Sequence, residues 1–154
     1  MNEFDGHLSD NDELLVDKGV DIGVAIDKHE QMSLVEITPN LLSELLGDHT
    51  EAVSVRSGIV FWFSAAGTWA TVNRMATLNL LAASSFLPRT VPLLWGPVLI
   101  TGAAVDGKPR GLTDAQIDTL TDGPEPNWLE QRVLLLRQQR AERRRRNSTL
   151  HRPA

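Results

Sequence analysis

The side chains able to carry chemistry in this sequence are few and scattered. Four histidines, His7, His29, His49 and His151, lie too far apart to share a helical turn, and no His-x-x-x-His spacing occurs. The chain has no cysteine, which removes thiolate nucleophiles, disulfides and sulfur-ligated metals. No serine stands in a Gly-x-Ser-x-Gly elbow. Asp10 and Asp12 resemble the start of a calcium loop, but the glycine at the loop's sixth position and the glutamate at its twelfth are missing. Residues 102–108 reproduce the Gly-x-x-x-x-Gly-Lys part of a phosphate-binding loop. Pro109 follows, however, and supplies neither a hydroxyl for magnesium nor a backbone N–H for phosphate. Asp106-Gly107 is a favoured tight-turn pair, so a turn is expected there and no nucleotide. These residues predict a protein that is not an enzyme, with no cofactor and no metal.

Two groups of residues suit binding better than catalysis. Trp69 lies in a loop of small residues, 65–71, next to Thr71, Asn73 and Arg74, with Thr77 one turn further on. A loop tryptophan beside an arginine can anchor a partner or stack on a ring, and Trp69 and Arg74 are expected as surface neighbours. The alternative folds Trp69 back over the core and leaves Asn73 as a helix cap. Trp62, Trp95 and Trp128 are expected in core or docking contacts. The second group is Arg137, Arg140, Arg143, Arg144, Arg145 and Arg146, which occupy too many angular positions for one helix face. Such a ring of charge suits a carboxylate-rich surface or a polyanion; a solvated helix end, stabilised by its arginines, is the plainer alternative.

The elements that must position these groups follow from periodicity. Residues 20–26 form a short extra strand and 32–37 another. Thr38 and Pro39 open a helix through Leu46 that Gly47 stops. Residues 51–55 and 59–64 make two strands around the turn 56–58, the second apolar on both faces and so covered on both. Asn73 caps a helix from Arg74 to about Ser85, with Met75, Leu78 and Leu81 or Ala82 at core spacing. Residues 93–101 read as a buried strand whose internal Gly-Pro points to a sheet edge or a bulge. Thr113 with Gln116 forms a capping box for a short helix ending near Gly123, and residues 123–126 form a proline-stiffened linker. Asn127 with Glu130 caps a last helix that docks through Leu129, Val133 and Leu136 and projects beyond Arg137.

This β-α-β-β-α-β order predicts an α+β fold with a split, ferredoxin-like core. The expected division is an acidic N-terminal arm with the extra strand over residues 1–30, the core over 31–123, and the linker and arginine-rich helix over 124–154. One core fits 154 residues. The net charge of −5 conceals opposite ends: residues 1–51 hold thirteen acids against two lysines, a local −11, while residues 132–154 hold eight arginines against Glu142, a local +7. Attraction within the chain, between copies, or to a separate acidic partner would each use that asymmetry. The acidic first third, and a tail without interleaved aromatics, favour an acidic protein surface or another copy of the chain over nucleic acid. Asn73, Arg74 and Gly67 interrupt the apolar stretch 58–83, so no membrane contact is expected. The first fifteen residues lack a basic region and an apolar region, and a cytoplasmic protein is expected.

The helix Asn73-Arg-Met-Ala-Thr77, the strand Trp95-Gly-Pro-Val-Leu-Ile-Thr-Gly102 and the acidic helix opened by Gly-Leu-Thr resemble a family of small domains of unknown function from bacteriophages and bacterial mobile elements. The likeness covers residues 32–120 and rests on Asn73, Ala76, Thr77, Thr101 and Gly102. It implies a compact α+β fold in a phage-like setting and no catalytic role. The function expected is that of a binding protein acting on a protein, nucleic-acid or small-molecule partner in an infected bacterial cytoplasm. The alternative is a structural or assembly component of a virus particle, in which the acidic arm of one copy meets the arginine tail of another.

Overall fold

The computed structural model describes residues 20–65, 67–122 and 125–150. The acidic residues 1–19 and the linker residues 123–124 lie outside that range, so the N-terminal part of the expected arm and part of the expected linker do too. Strands β1 (Ile22–Ile26) and β2 (Met32–Glu36) form one antiparallel hairpin, and β3 (Thr50–Ser54) and β4 (Val60–Ser64) form a second. Local chemistry closes both. The Asp27 carboxylate accepts the backbone N–H groups of His29 and Gln31 at 2.8 and 2.9 Å, and Gly58 takes φ +77° in the β3–β4 turn. Strand β5 (Val98–Val105) then enters between the hairpins, antiparallel to β1 on one side and β4 on the other, giving the order β2-β1-β5-β4-β3.

The fold is α+β, yet that order is not the ferredoxin-like split. β2 and β4, the first and third strands of the expected pattern, are separated by β1 and β5. β1, the expected extra strand, pairs with two neighbours inside the sheet. β5 occupies the middle of the sheet and not an edge. It tolerates Gly96-Pro97 because the strand starts after them, which keeps the proline's missing N–H out of the ladder. Its far end turns through Asp106 and Gly107, at φ +53° and +74°, into β6 (Lys108–Arg110). The phosphate-loop look-alike is therefore a hairpin with both turn residues left-handed, as its Asp-Gly pair predicts.

Alternation along the strands makes two cores. Val24, Ile26, Phe61, Val98 and Ile100 face one side with Ile59, and Leu99 and Trp62 face the other. The second side is covered by α1 (Leu41–Leu46) through Leu41 and Leu46. This helix starts later than Thr38 and Pro39 foretell: those residues belong to the approach, and Asn40 stands at its N-cap without a side-chain bond. The first side is covered by α2 (Arg74–Ala83), whose buried residues are Ala76, Thr77, Leu80 and Leu81. Met75 and Leu78 are only partly buried at its margin, and Ala82 is exposed. Helix α3 (Asp114–Asp122) opens with the expected reciprocal Thr113–Gln116 box. Helix α4 (Trp128–Leu150) opens with the Asn127–Glu130 box and inserts Leu134 into the first core.

Candidate functional site: the two faces of the C-terminal helix

With 3.6 residues per turn, Leu134, Arg137, Gln138, Ala141, Glu142 and Arg145 share one side of α4, and that side lies on the body of the protein. Arg137 donates from Nη1 to the carbonyls of Pro88 and Val91 at 2.7 and 2.9 Å. The Glu142 carboxylate accepts the Val72 N–H at 2.9 Å and the Gln138 amide at 3.2 Å. Arg145 donates to the Trp69 carbonyl and lays its guanidinium 3.5 Å above the centre of the Trp95 ring. Desolvation lowers the pKa of both Arg137 and Arg145 from the ordinary arginine value. The expectation that α4 projects beyond Arg137 is thus overturned, since contacts hold it as far as Arg145. Hydrophobicity alone marks these positions as polar, whereas an arginine packs its stem and offers five donors to loop carbonyls.

The expected docking stripe is overturned as well. Leu129 and Leu136 are exposed, Val133 is half-buried, and the residue that enters the core is Leu134. Trp128, expected in a core or docking contact, is 75% exposed. Trp62 and Trp95 are both partly buried; the Trp62 indole N–H donates to Thr101 Oγ1 at 2.9 Å.

The tryptophan loop is fastened to α4. Trp69 is half-buried, and its ring sits where a side chain on Gly96 would be, only 2.5 Å from an ideal Cβ there. Gly96 has φ +68°, so two requirements converge on glycine. Asn73 and Thr77 are buried at 2% and 0% exposure and their polar groups are used inside the fold. Asn73 accepts the Ala76 N–H as an N-cap and donates its amide to the carbonyls of Ile26, Asp27 and Gly96. Thr77 donates to the Asn73 carbonyl and accepts the Leu94 N–H. Thr71 is exposed and Arg74 half-buried. Among the described residues no hydrogen bond or ring contact joins Trp69 to Arg74; the arginine that meets the tryptophan loop is Arg145, from 76 positions away. The nearest signal in the sequence is Glu142, the single acid in the arginine tail, eight residues after Leu134 and so on its face.

The opposite side of α4 carries Arg132, Arg140, Arg143, Arg144 and Arg146, all exposed, within an arc of about 160°. Among the described residues their guanidinium groups engage no partner. The six expected binding arginines therefore divide: Arg137 and Arg145 turn inward, the other four outward, with Arg132 joining them. Two open clefts flank the docked edge. One of about 250 Å³ lies between residues 67–70 and Arg145, Arg146 and Thr149; one of about 260 Å³ lies beside Leu93, Arg137, Arg140 and Arg144. Both are smaller than the ~300–1,000 Å³ usual for a ligand pocket, so the arrangement offers a charged surface more than an enclosure. Among the described residues no group of three or more histidine or acidic side chains converges as a metal site would require, and no helix is long and apolar enough to cross a membrane. Comparison with known proteins finds no matching family model, no matching curated protein and no matching solved structure.

Proposed function

We propose that this chain is a non-enzymatic binding protein whose contact surface is the outward face of α4, and that the surface it meets is an acidic protein. The observation that carries the reading is the division of the arginines: two are consumed by carbonyls and a tryptophan ring, while five stand exposed, without a partner among the described residues, on one side of a helix held firmly against the domain. A helix fixed along its inner edge presents that charge in a constant geometry, which lowers the ordering cost of an encounter. Carboxylates match guanidinium groups in fork geometry and in sign. The acidic first third of the chain opposes an extended polyanion such as DNA. The setting we infer is a bacterial cytoplasm under phage infection, on the resemblance carried by Asn73, Ala76, Thr77, Thr101 and Gly102.

Anisotropy titrations of a labelled oligoglutamate peptide and a labelled DNA duplex, at about 50 and 200 mM salt, test this. The peptide binds, salt weakens it, and the combined change Arg140→Ala, Arg143→Ala, Arg144→Ala and Arg146→Ala abolishes binding. A tighter complex with DNA would transfer the surface to nucleic acid, and indifference to both probes would remove the binding role.

A further inference from the structure

The outward face of α4 carries four of its five arginines in the second half. In the first half large apolar side chains join Arg132: Trp128, Leu129 and Leu136 are 75%, 57% and 47% exposed. These residues fall on the same side as Arg140 and Arg143. Leu129 and Leu136 stand seven residues apart, the repeat with which two helices pack side by side. Large apolar side chains grouped on one exposed face mark a contact surface, and the charges on either side of them indicate what covers it. Beyond Leu136 the face is arginine. Before Trp128 the chain has only acids, Asp114, Asp118, Asp122 and Glu125, with no base between residues 111 and 127. Asp114, Asp118 and Glu125 are exposed. Helix α3 ends six residues before Trp128, so those acids stay within about 22 Å of the start of α4, plus the length of α3 itself.

The surface is therefore complementary to itself in one orientation. In a two-fold antiparallel pair, Leu129 faces Leu136 of the second copy, and each arginine half runs toward the acid-bearing end of the other chain. A parallel pair would set all five outward arginines against their counterparts, whereas the antiparallel pair brings only Arg132 near its own copy at the two-fold axis. We propose that α4 docks on α4 of a second copy of this chain through Trp128, Leu129 and Leu136, with Arg140, Arg143 and Arg144 reaching the α3 and linker acids of that copy. This rests on the reading that the outward arginines meet acidic protein, and names the protein. A seam of about two helical turns is short beside the ~800 Å² per partner of a standard interface, so the pair forms reversibly.

Sedimentation velocity of the full chain over about two decades of concentration reads this out. The wild type passes from monomer to dimer. The triple variant Trp128→Ser, Leu129→Ser, Leu136→Ser stays monomeric with an unchanged circular dichroism spectrum, since all three positions are exposed. Two charge-reversed chains, one carrying Arg143→Glu with Arg144→Glu and the other Asp118→Arg with Glu125→Arg, each self-associate about tenfold or more weakly than wild type. An equimolar mixture of the two restores the dimer, because opposite charges then face each other at both ends. A wild type that stays monomeric, a dimer that survives the triple variant, or a mixture that gains nothing over its components each overturns the proposal. The broader reading fails separately: a monomeric triple variant that still binds oligoglutamate preserves it, and one that does not removes it.

Discussion

Leu134 and Leu136 lie two residues apart on α4, yet one is 1% exposed within the core and the other is 47% exposed in water. Arg145 and Arg146 are adjacent, yet one spans a tryptophan ring and a backbone carbonyl while the other is exposed and faces outward. Both faces of this helix carry leucine and arginine, and use them for opposite ends. On the inner face, burial makes each guanidinium a structural donor to loop carbonyls. On the outer face, hydration leaves charge and apolar area available to another molecule. Residue type does not decide between architecture and contact here; angular position does.

The contrast is broken most severely at Leu134. Leu134→Ala removes a fully buried side chain and is expected to cost about 2–4 kcal/mol in urea denaturation, while Leu136→Ala stays within about 0.5 kcal/mol. Equal losses at the two positions would mean that α4 is rotated about its axis from the orientation described.

Next is the seat on which the inner face rests. Asn73→Ala leaves the carbonyls of Ile26, Asp27 and Gly96 without their amide donor and removes the N-cap of α2, with an expected loss of about 2–3 kcal/mol. Asn73→Asp keeps the cap oxygen but not the donor, and is expected to recover less than half of that loss. Full recovery by aspartate would show that capping is the whole of its role.

Gly96→Ala is smaller again. Its Cβ meets the Trp69 ring at 2.5 Å on a backbone at φ +68°, so about 1–3 kcal/mol is lost and the tryptophan fluorescence shifts as Trp69 is displaced. Unaltered fluorescence would argue that Trp69 does not occupy that seat.

The smallest effect compares neighbours. Arg145→Lys keeps the charge but gives up the planar stack on Trp95 and the guanidinium hydrogen bond to the Trp69 carbonyl, costing about 1 kcal/mol. Arg146→Lys is expected to leave thermal stability unchanged. If both substitutions are silent, the inward arginine contributes position and not stability.

What the sequence determined by itself is what residues three or four positions apart settle between themselves. The capping pairs Thr113–Gln116 and Asn127–Glu130, the cap at Asn73, the β3–β4 hairpin and the Asp106-Gly107 turn are all of this kind, because donor, acceptor and allowed φ lie within one turn of chain. The class of elements, and hence α+β, follows from them. On α2, Leu81 is buried as its spacing predicts, but Ala76, Thr77 and Leu80 take the core positions in place of Met75 and Leu78, because small residues serve as well as leucine at a close helix–sheet contact and side-chain spacing alone does not distinguish them. The strand order and the inner face of α4 were decided only by the tertiary structure. β5 enters the gap between two hairpins already formed, and nothing in its own residues names its neighbours. The contacts that orient α4 join Arg137 to Pro88 across 49 positions and Arg145 to Trp69 across 76. An arginine in the sequence reads as a solvated charge; it becomes a structural residue only when a distant loop brings a carbonyl and an aromatic face within its reach.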